Sequence, residues 1–307
     1  MSAWFGDGQG AGHPAGEDTL ALEFEAHRPR LLRVAYMTLG SMSEAEDCVQ
    51  EAWFRLRGIA DPAAIRDLGA WLITTVGRLA LDALGSARAR RERYVGTWLP
   101  EPLVARPEAL DPADRVTLDE SVSMALLVVL EQLSPAQRTA FLLHDVFGLP
   151  FDDIADVVGR TPAAVRQLAS RARRDVATAR PRFPPTAAEQ RELVAAFLAA
   201  CREGDLKGLV TLLDPDVVCR GDGGGVVTAL RHAVRGAEKV AGLMLDFTRH
   251  PLDEVRPTDV NGSPGLLLRG MDGVLSVAAF TVDAGRITAI DVVRNPHKLA
   301  SVPPPPD

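Results

Sequence analysis

The spacing of apolar residues changes once along this chain, and that change constrains the fold more than any other feature. Up to about residue 205 they recur at every third or fourth position; beyond about residue 216 short runs alternate from face to face. Helices therefore come first and a sheet comes last. In "LEFEAHRPRLLRVAYMTLG" one face gathers Phe24, Leu31, Leu32, Ala35 and Leu39 and ends at Gly40. "SMSEAEDCVQEAWFRLRG" opens with Ser43 as cap and Glu46 three residues on, then carries Val49, Ala52, Trp53 and Leu56. "LGAWLITTVGRLALDALGSARARRER" continues through Trp71, Leu72, Val76, Leu79 and Leu84.

A second helical block follows. "DRVTLDESVSMALLVVLEQLS" reads as one helix, and "SPAQRTAFLLHDVFG" has Ser134 as cap with Pro135 at the first helical position. After a helix through "AAEQRELVAAFLAACREGD" come "DVVCRGD", "GLLLRGM", "VLSVAAFTVD" and "RITAIDVVR", with Gly and Asp turns between the later runs. The pattern predicts a multidomain chain: two all-α domains, then an α+β domain whose curved sheet carries helices on one side. The expected divisions are a disordered leader over 1–18, helical domains over 19–93 and 114–183, a linker over 94–113, the α+β domain over 184–300 and a Pro-rich tail over 301–307.

The linker is unusual. "YVGTWLPEPL" has prolines at 100 and 102, so it is no amphipathic helix, yet Val95, Trp98, Leu99 and Leu103 need cover. Its 20 residues could span ~65 Å if fully extended. Composition narrows the function. With 47% apolar and 24% charged residues a core can form. No apolar run approaches the ~20 residues of a membrane span, and no secretion signal opens the chain. Cys48, Cys201 and Cys219 lack CxxC spacing and suit a reducing cytoplasm. The formal charge of −7 excludes indiscriminate coating of nucleic acid, so any such contact must come from local clusters.

Two clusters exist. In "FDDIADVVGRTPAAVRQLASRARRDV", Ile154, Ala155 and Val158 give a first helix its buried side and Gly159 ends it. Thr161 caps a second helix that buries Val165, Leu168, Ala172 and Val176. Its other side presents Arg166, Gln167, Ser170, Arg171, Arg173 and Arg174, the residue types of a helix-turn-helix reader in the DNA major groove. Arg138, one helix earlier, reads as an exposed residue suited to be a control. The second cluster is Arg88, Arg90, Arg91 and Arg93.

This order of elements resembles the extracytoplasmic-function sigma factors, promoter-recognition subunits of bacterial RNA polymerase. "AEDCVQEAWFRL" is similar to their region 2.2, "AWLITTVGRLALD" to regions 2.3 and 2.4, and 133–174 to region 4. "YVGTWLPEP", "GDGGG" at 221–225 and "NPHKLA" at 295–300 resemble the three hallmarks of group 41, whose members carry a fused SnoaL-like domain. Where many relatives have an Ala-Arg-Asn run, this chain has Val76-Gly77-Arg78, and His297 stands where the group often has an acid.

The resemblance implies roles residue by residue. Asp47, Gln50, Glu51 and Phe54 would face core polymerase, at the clamp of its β′ subunit. Trp71, Thr74, Thr75 and Arg78, with Arg88, Arg90 and Arg91, would face the minus-ten element, although Trp71 by itself reads as core. The helix bearing Arg166 to Arg174 would read minus thirty-five, with the flap of the β subunit as its polymerase contact. Trp98, Leu99 and Pro100 would meet Asp222, Gly223, Gly224 and Gly225, together with Asn295, Pro296, Lys298 and Leu299, in a regulatory interdomain contact replacing a separate anti-sigma protein. The SnoaL-like (NTF2-like, cystatin-like) cone has room for a small-molecule ligand. The alternative is a cyclase- or isomerase-like enzyme domain joined to a DNA-binding module, with His232, His250, Asp283 and Asp291 as its candidate acids and bases. No metal, cofactor or membrane is implied, and the free chain is expected to be a monomer.

Overall fold

The computed structural model describes residues 14–91, 94–104, 122–179, 183, 185–249 and 252–302; the side chains of residues 14–17, 87–91 and 179 lie outside that description. Three helices open the chain: α1 (Pro14–Leu39), α2 (Met42–Arg57) and α3 (Leu68–Arg91). Helix α1 begins at Pro14, inside the stretch expected as leader. The cap of α2 is Ser41 rather than Ser43: Ser41 has the extended backbone a cap requires and its hydroxyl accepts the Glu44 amide. Two serines at i and i+2 offer the same sequence signal, and only the backbone chooses between them.

Helices α4 (Met124–Leu130) and α5 (Pro135–Phe141) follow, the latter running into a π-helical turn at Leu142–Val146. The single helix expected over 114–134 is resolved differently: Ser123 caps a seven-residue helix, and 105–121 lie outside the described residues. Ser134 and Gln137 form a reciprocal capping box at α5. Helices α6 (Phe151–Val158) and α7 (Pro162–Ala179) flank Gly159, whose φ of +68° gives the left-handed turn between them.

The two helical blocks are not separate bodies on a string. Val34, Leu72 and Val76 from the first share one continuous core with Leu127, Leu130, Leu142 and Leu143 from the second. Periodicity gives each helix an apolar face but does not say which partner covers it. Residues Leu68–Ser86 of α3 are long and apolar enough to cross a membrane, contrary to the sequence expectation; here Leu72, Ile73, Val76, Ala80 and Leu84 are packed into this core.

The last part holds α8 (Ala187–Glu203), α9 (Leu206–Leu212), α10 (Ala237–Thr248) and six strands: β1 (Leu213–Asp222), β2 (Val234–Arg235), β3 (Leu252–Val260), β4 (Ser263–Gly270), β5 (Leu275–Asp283) and β6 (Arg286–Val293). They form one sheet in the order β2-β1-β6-β5-β4-β3, with β1 and β6 parallel and the other pairs antiparallel. This is the α+β domain expected. Strand β3 escaped the sequence pattern because it is an edge strand that tolerates Pro257 and half-exposes most of its residues.

The sheet has two apolar faces. Leu266, Ala278, Phe280 and Ile290 point to α8 and α10 and pack with Phe197 and Val240. Leu267, Val277, Ala279 and Val293 alternate to the other face, where they meet Leu99, Met124, Val128, Leu299 and Val302. The linker ribbon and α4 therefore cover a face that would otherwise be bare.

Candidate functional site

The centre of the interdomain contact is one carboxylate. Asp222, at the end of β1, is 0% exposed. Its Oδ2 accepts the Leu99 amide at 2.9 Å and pairs with Lys298 Nζ at 2.7 Å. Its Oδ1 accepts the Tyr94 hydroxyl at 2.5 Å and the Gly224 amide at 3.0 Å. Four donors around one buried anion satisfy it, the condition under which a buried charge is tolerated. Burial, reinforced by Asp222, pushes the Tyr94 phenol well above its ordinary range. Lys298 also donates to the Leu99 carbonyl and sits 3.9 Å from the centre of the Trp98 ring, so the ammonium is held by an anion, a carbonyl and an aromatic face together.

The glycines are dictated by space. Gly224 has φ +66°, and a Cβ there would stand 2.5 Å from the Asn295 side chain; a Cβ on Gly223 would meet the Val227 carbonyl at 2.2 Å. Asn295 Nδ2 donates to the Tyr94 hydroxyl at 2.8 Å, and its backbone amide reaches the Asp222 carbonyl at 3.0 Å. His297 is exposed and contributes its backbone amide, donated to Asn295 Oδ1 at 3.0 Å. Leu99 and Leu299 are buried on the sheet, Pro100 is buried and Pro296 is exposed. The structure thus brings the three sequence hallmarks into one cluster.

Further along, the ribbon is clasped from both sides. Leu103 and Asn261 exchange amide and carbonyl bonds at 2.7 and 3.1 Å, and Val104 bridges to Val260 at the sheet edge. Tyr36 of α1 donates to the Glu101 carbonyl at 2.7 Å and accepts from Asn261 Nδ2 at 2.9 Å, joining three parts of the chain. The Glu101 side chain accepts the Met42 amide at 2.9 Å, and burial raises its carboxyl above the ordinary range. Sequence reasoning missed Tyr36, Glu101 and Asn261. The Asn261-Gly262 pair, with both φ values positive, was the one visible signal, a hairpin turn.

The helical faces differ in access. Asp47, Gln50, Glu51 and Phe54 are all exposed along one side of α2, with Phe54 at 53%, and Glu51 pairs with Arg55 at 3.0 Å. Arg166, Gln167, Ser170, Arg171, Arg173 and Arg174 are exposed on α7; Arg173 pairs with Asp145 at 2.7 Å and Arg166 lies over Phe151. On α3, Trp71, Thr74 and Thr75 are half-buried, and Arg78 donates to the Asp156 carbonyl of α6 at 3.0 Å. A Cβ on Gly77 would touch Leu143 at 3.0 Å, so the glycine that replaces a larger residue lets α3 approach the second block. Arg88, Arg90 and Arg91 ride on the end of α3, with side chains outside the described residues, as is all of Arg93.

Arg138 corrects an expectation. It is 1% exposed, donates through Nε and Nη2 to the Met37 carbonyl at 3.0 and 2.8 Å, and pairs with Glu131. It pins the second block onto the end of α1. Among the C-terminal candidates, His232 is exposed, Asp283 accepts the Phe183 amide at 2.7 Å, and Asp291 is buried against Arg220 at 2.8 Å, with burial raising its carboxyl. His250 lies outside the described residues.

A helix-turn-helix on one block, an exposed acidic and aromatic helix on the other and a clasped ribbon between define a promoter-recognition chain of the sigma-70 type. Residues 24–90 match the family described as sigma-70 region 2, and residues 123–176 match sigma-70, region 4. The ECF RNA polymerase sigma factor SigJ of Mycobacterium tuberculosis is 43% identical over 295 residues, covering 92% of this chain and 93% of the relative. The probable ECF RNA polymerase sigma factor SigI of the same species is 39% identical over 285 residues, covering 92% of this chain and 95% of its own. The crystal structure of SigJ superposes with a TM-score of 0.76 at 39% identity over 92% of this chain and 99% of that one. This chain belongs to the ECF RNA polymerase sigma factors, which direct promoter recognition at the start of transcription.

Proposed function

We propose that the C-terminal domain regulates this sigma factor in cis, in place of a separate anti-sigma protein, by holding the ribbon between regions 2 and 4. The carrying observation is the buried Asp222 carboxylate, bonded to the Leu99 amide, the Tyr94 hydroxyl and Lys298. A ribbon fixed to the domain cannot extend to span two promoter elements more than one helical turn (~34 Å) apart. The closed form also engages the exposed Arg78 with the Asp156 carbonyl of region 4. Release would free the ribbon.

In the working state Asp47, Gln50, Glu51 and Phe54 dock on the clamp of the β′ subunit, and region 4 engages the flap of the β subunit. The exposed face of α7 reads minus thirty-five; Trp71, Thr74, Thr75 and Arg78, with Arg88, Arg90 and Arg91, serve the minus-ten element. The free chain is a monomer of the cytoplasm, where polymerase and promoters are. The cavity of the cone suits binding: among the described residues its wall has Thr228, Thr248 and Arg294 as polar side chains, besides two thiols. Asp283, Asp291 and His232 stand elsewhere. In vitro transcription with core polymerase on a promoter library tests the reading. The Asp222→Asn chain should differ several-fold in open-complex formation from the natural chain; equal output would refute cis control through this contact.

A further inference from the structure

Between the inner face of the sheet and helices α8 and α10 lies a cavity of about 270 Å³. Its wall includes Phe197, Leu243, Met244, Phe247, Leu268 and Phe280 and is almost wholly apolar. A half-open pocket of this size with an apolar wall takes apolar guests. One charged side chain, Arg294, stands on the described wall. Among the described residues its partners are the Ser276 hydroxyl at 3.2 Å, the Thr228 carbonyl and the Phe247 ring at 5.8 Å, none of them a carboxylate. A guanidinium held by neutral groups beside an apolar void is half of a binding site for an anion with an apolar body. The single cation matches one negative charge; a phosphate dianion would bring charge that the apolar wall leaves unpaired.

The same two strand ends build the cavity wall and the Asp222 cluster. Gly221 lines the cavity, and the next residue is Asp222. Arg294 lines the cavity, and the next residue is Asn295; the amides of both reach the Asp222 carbonyl, at 2.7 and 3.0 Å. Thr228, whose carbonyl takes the Arg294 guanidinium, follows the tight turn in which the Val226 and Val227 amides donate to the Gly223 carbonyl at 3.0 and 3.1 Å. The glycine turn is therefore anchored at its far end by the residue an anion would recruit.

We propose that this cavity binds a monocarboxylate with an aliphatic or aryl body, its head group on Arg294, and that binding loosens the contact between Asp222 and the ribbon. A carboxylate gives Arg294 a stronger acceptor than the Thr228 carbonyl, so the turn loses its anchor. Linkage requires the reverse as well: a chain with its ribbon released binds the carboxylate more tightly. The inference rests on the regulatory reading of the Asp222 contact and adds to it the class of molecule that controls it.

The test titrates the full chain with octanoate, decanoate and 4-phenylbutyrate, each beside its alcohol, by calorimetry, and follows amide exchange over residues 94–104. At least one carboxylate should bind at least about tenfold tighter than its alcohol. Arg294→Gln should abolish that preference while the alcohol still binds, and Met244→Trp, which fills the cavity, should weaken both. Should Arg294→Gln fail to fold, Arg294→Lys keeps the charge without the planar fork and should retain a weakened preference. Bound carboxylate should speed exchange at the Leu99 amide. Failure of every carboxylate to bind, or a preference that survives Arg294→Gln, would overturn the site; binding with Leu99 exchange unchanged would overturn the coupling. The Asp222→Asn transcription result needs no ligand, so the two readings fail separately.

Discussion

Two of the junctions in this molecule are held by different physics. Between regions 2 and 4 the contact is a continuous apolar core, with Arg138 buried at its edge and Arg78 and Arg30 reaching across to backbone carbonyls. Between the ribbon and the C-terminal domain the contact has a polar hub at Asp222 and a second clasp at Leu103 and Asn261, with Leu99 and Val104 as its apolar part on a sheet face. Apolar burial is non-directional and spread over many residues, so it yields only when another large surface competes for it. A buried ion hub is directional and fails as a unit when one member is lost. The first junction suits displacement by polymerase; the second suits a switch.

Breaking the first junction should give the largest effect on stability. Arg138→Ala removes the buried guanidinium that pairs with Glu131 and donates twice to the Met37 carbonyl, and should cost ~3–5 kcal/mol in denaturant unfolding. Exposed Arg286→Ala is the control, expected within ~0.5 kcal/mol. A small loss for Arg138→Ala would mean that the halves do not share a core in solution. A smaller effect should come from the exposed face of α7. Each of Arg171→Ala and Arg174→Ala should weaken promoter binding and flatten its salt dependence by ~0.9 per lost contact, with Arg286→Ala unchanged. The smallest effect concerns the thiols. Burial pushes Cys48 and Cys201 up to about 11 and Cys219 up to about 12, so native chains should be alkylated far more slowly at neutral pH than a free cysteine. Rapid native-state labelling of Cys48 would show that the helical core opens.

Much of this was legible in advance, for identifiable reasons. The helix-turn-helix could be read because Gly159, Thr161 and Pro162 are local signals, and of the stripe Val165, Leu168, Ala172 and Val176 three are buried while Leu168 is half-buried against the same core. The cluster around Asp222 could be anticipated only through motifs resembling a known group, since its members lie far apart in sequence, Tyr94 and Asn295 being 201 residues apart. Arg138 was misread because an arginine in a polar-looking helix start gives no sign that another helix will end on top of it. Tyr36 looked like one more core aromatic; that its hydroxyl joins α1, the ribbon and Asn261 is a property of assembly. Cap choice at Ser41 and the edge strand β3 were likewise settled by backbone geometry rather than by residue type.

Amide exchange at Leu99 tests the central claim most directly. In Asp222→Asn the side chain offers acceptor oxygen on one side only, and its amide group is set against the donors on the other. If Asp222 holds the ribbon, the Leu99 amide should exchange at least about tenfold faster in Asp222→Asn than in the natural chain, a charge-assisted bond being worth at least that factor. Amides in the core of α7 should keep their protection in the same sample. Equal protection of Leu99 in the two chains would mean the ribbon is held by burial alone, and the account of a switch at Asp222 would be wrong.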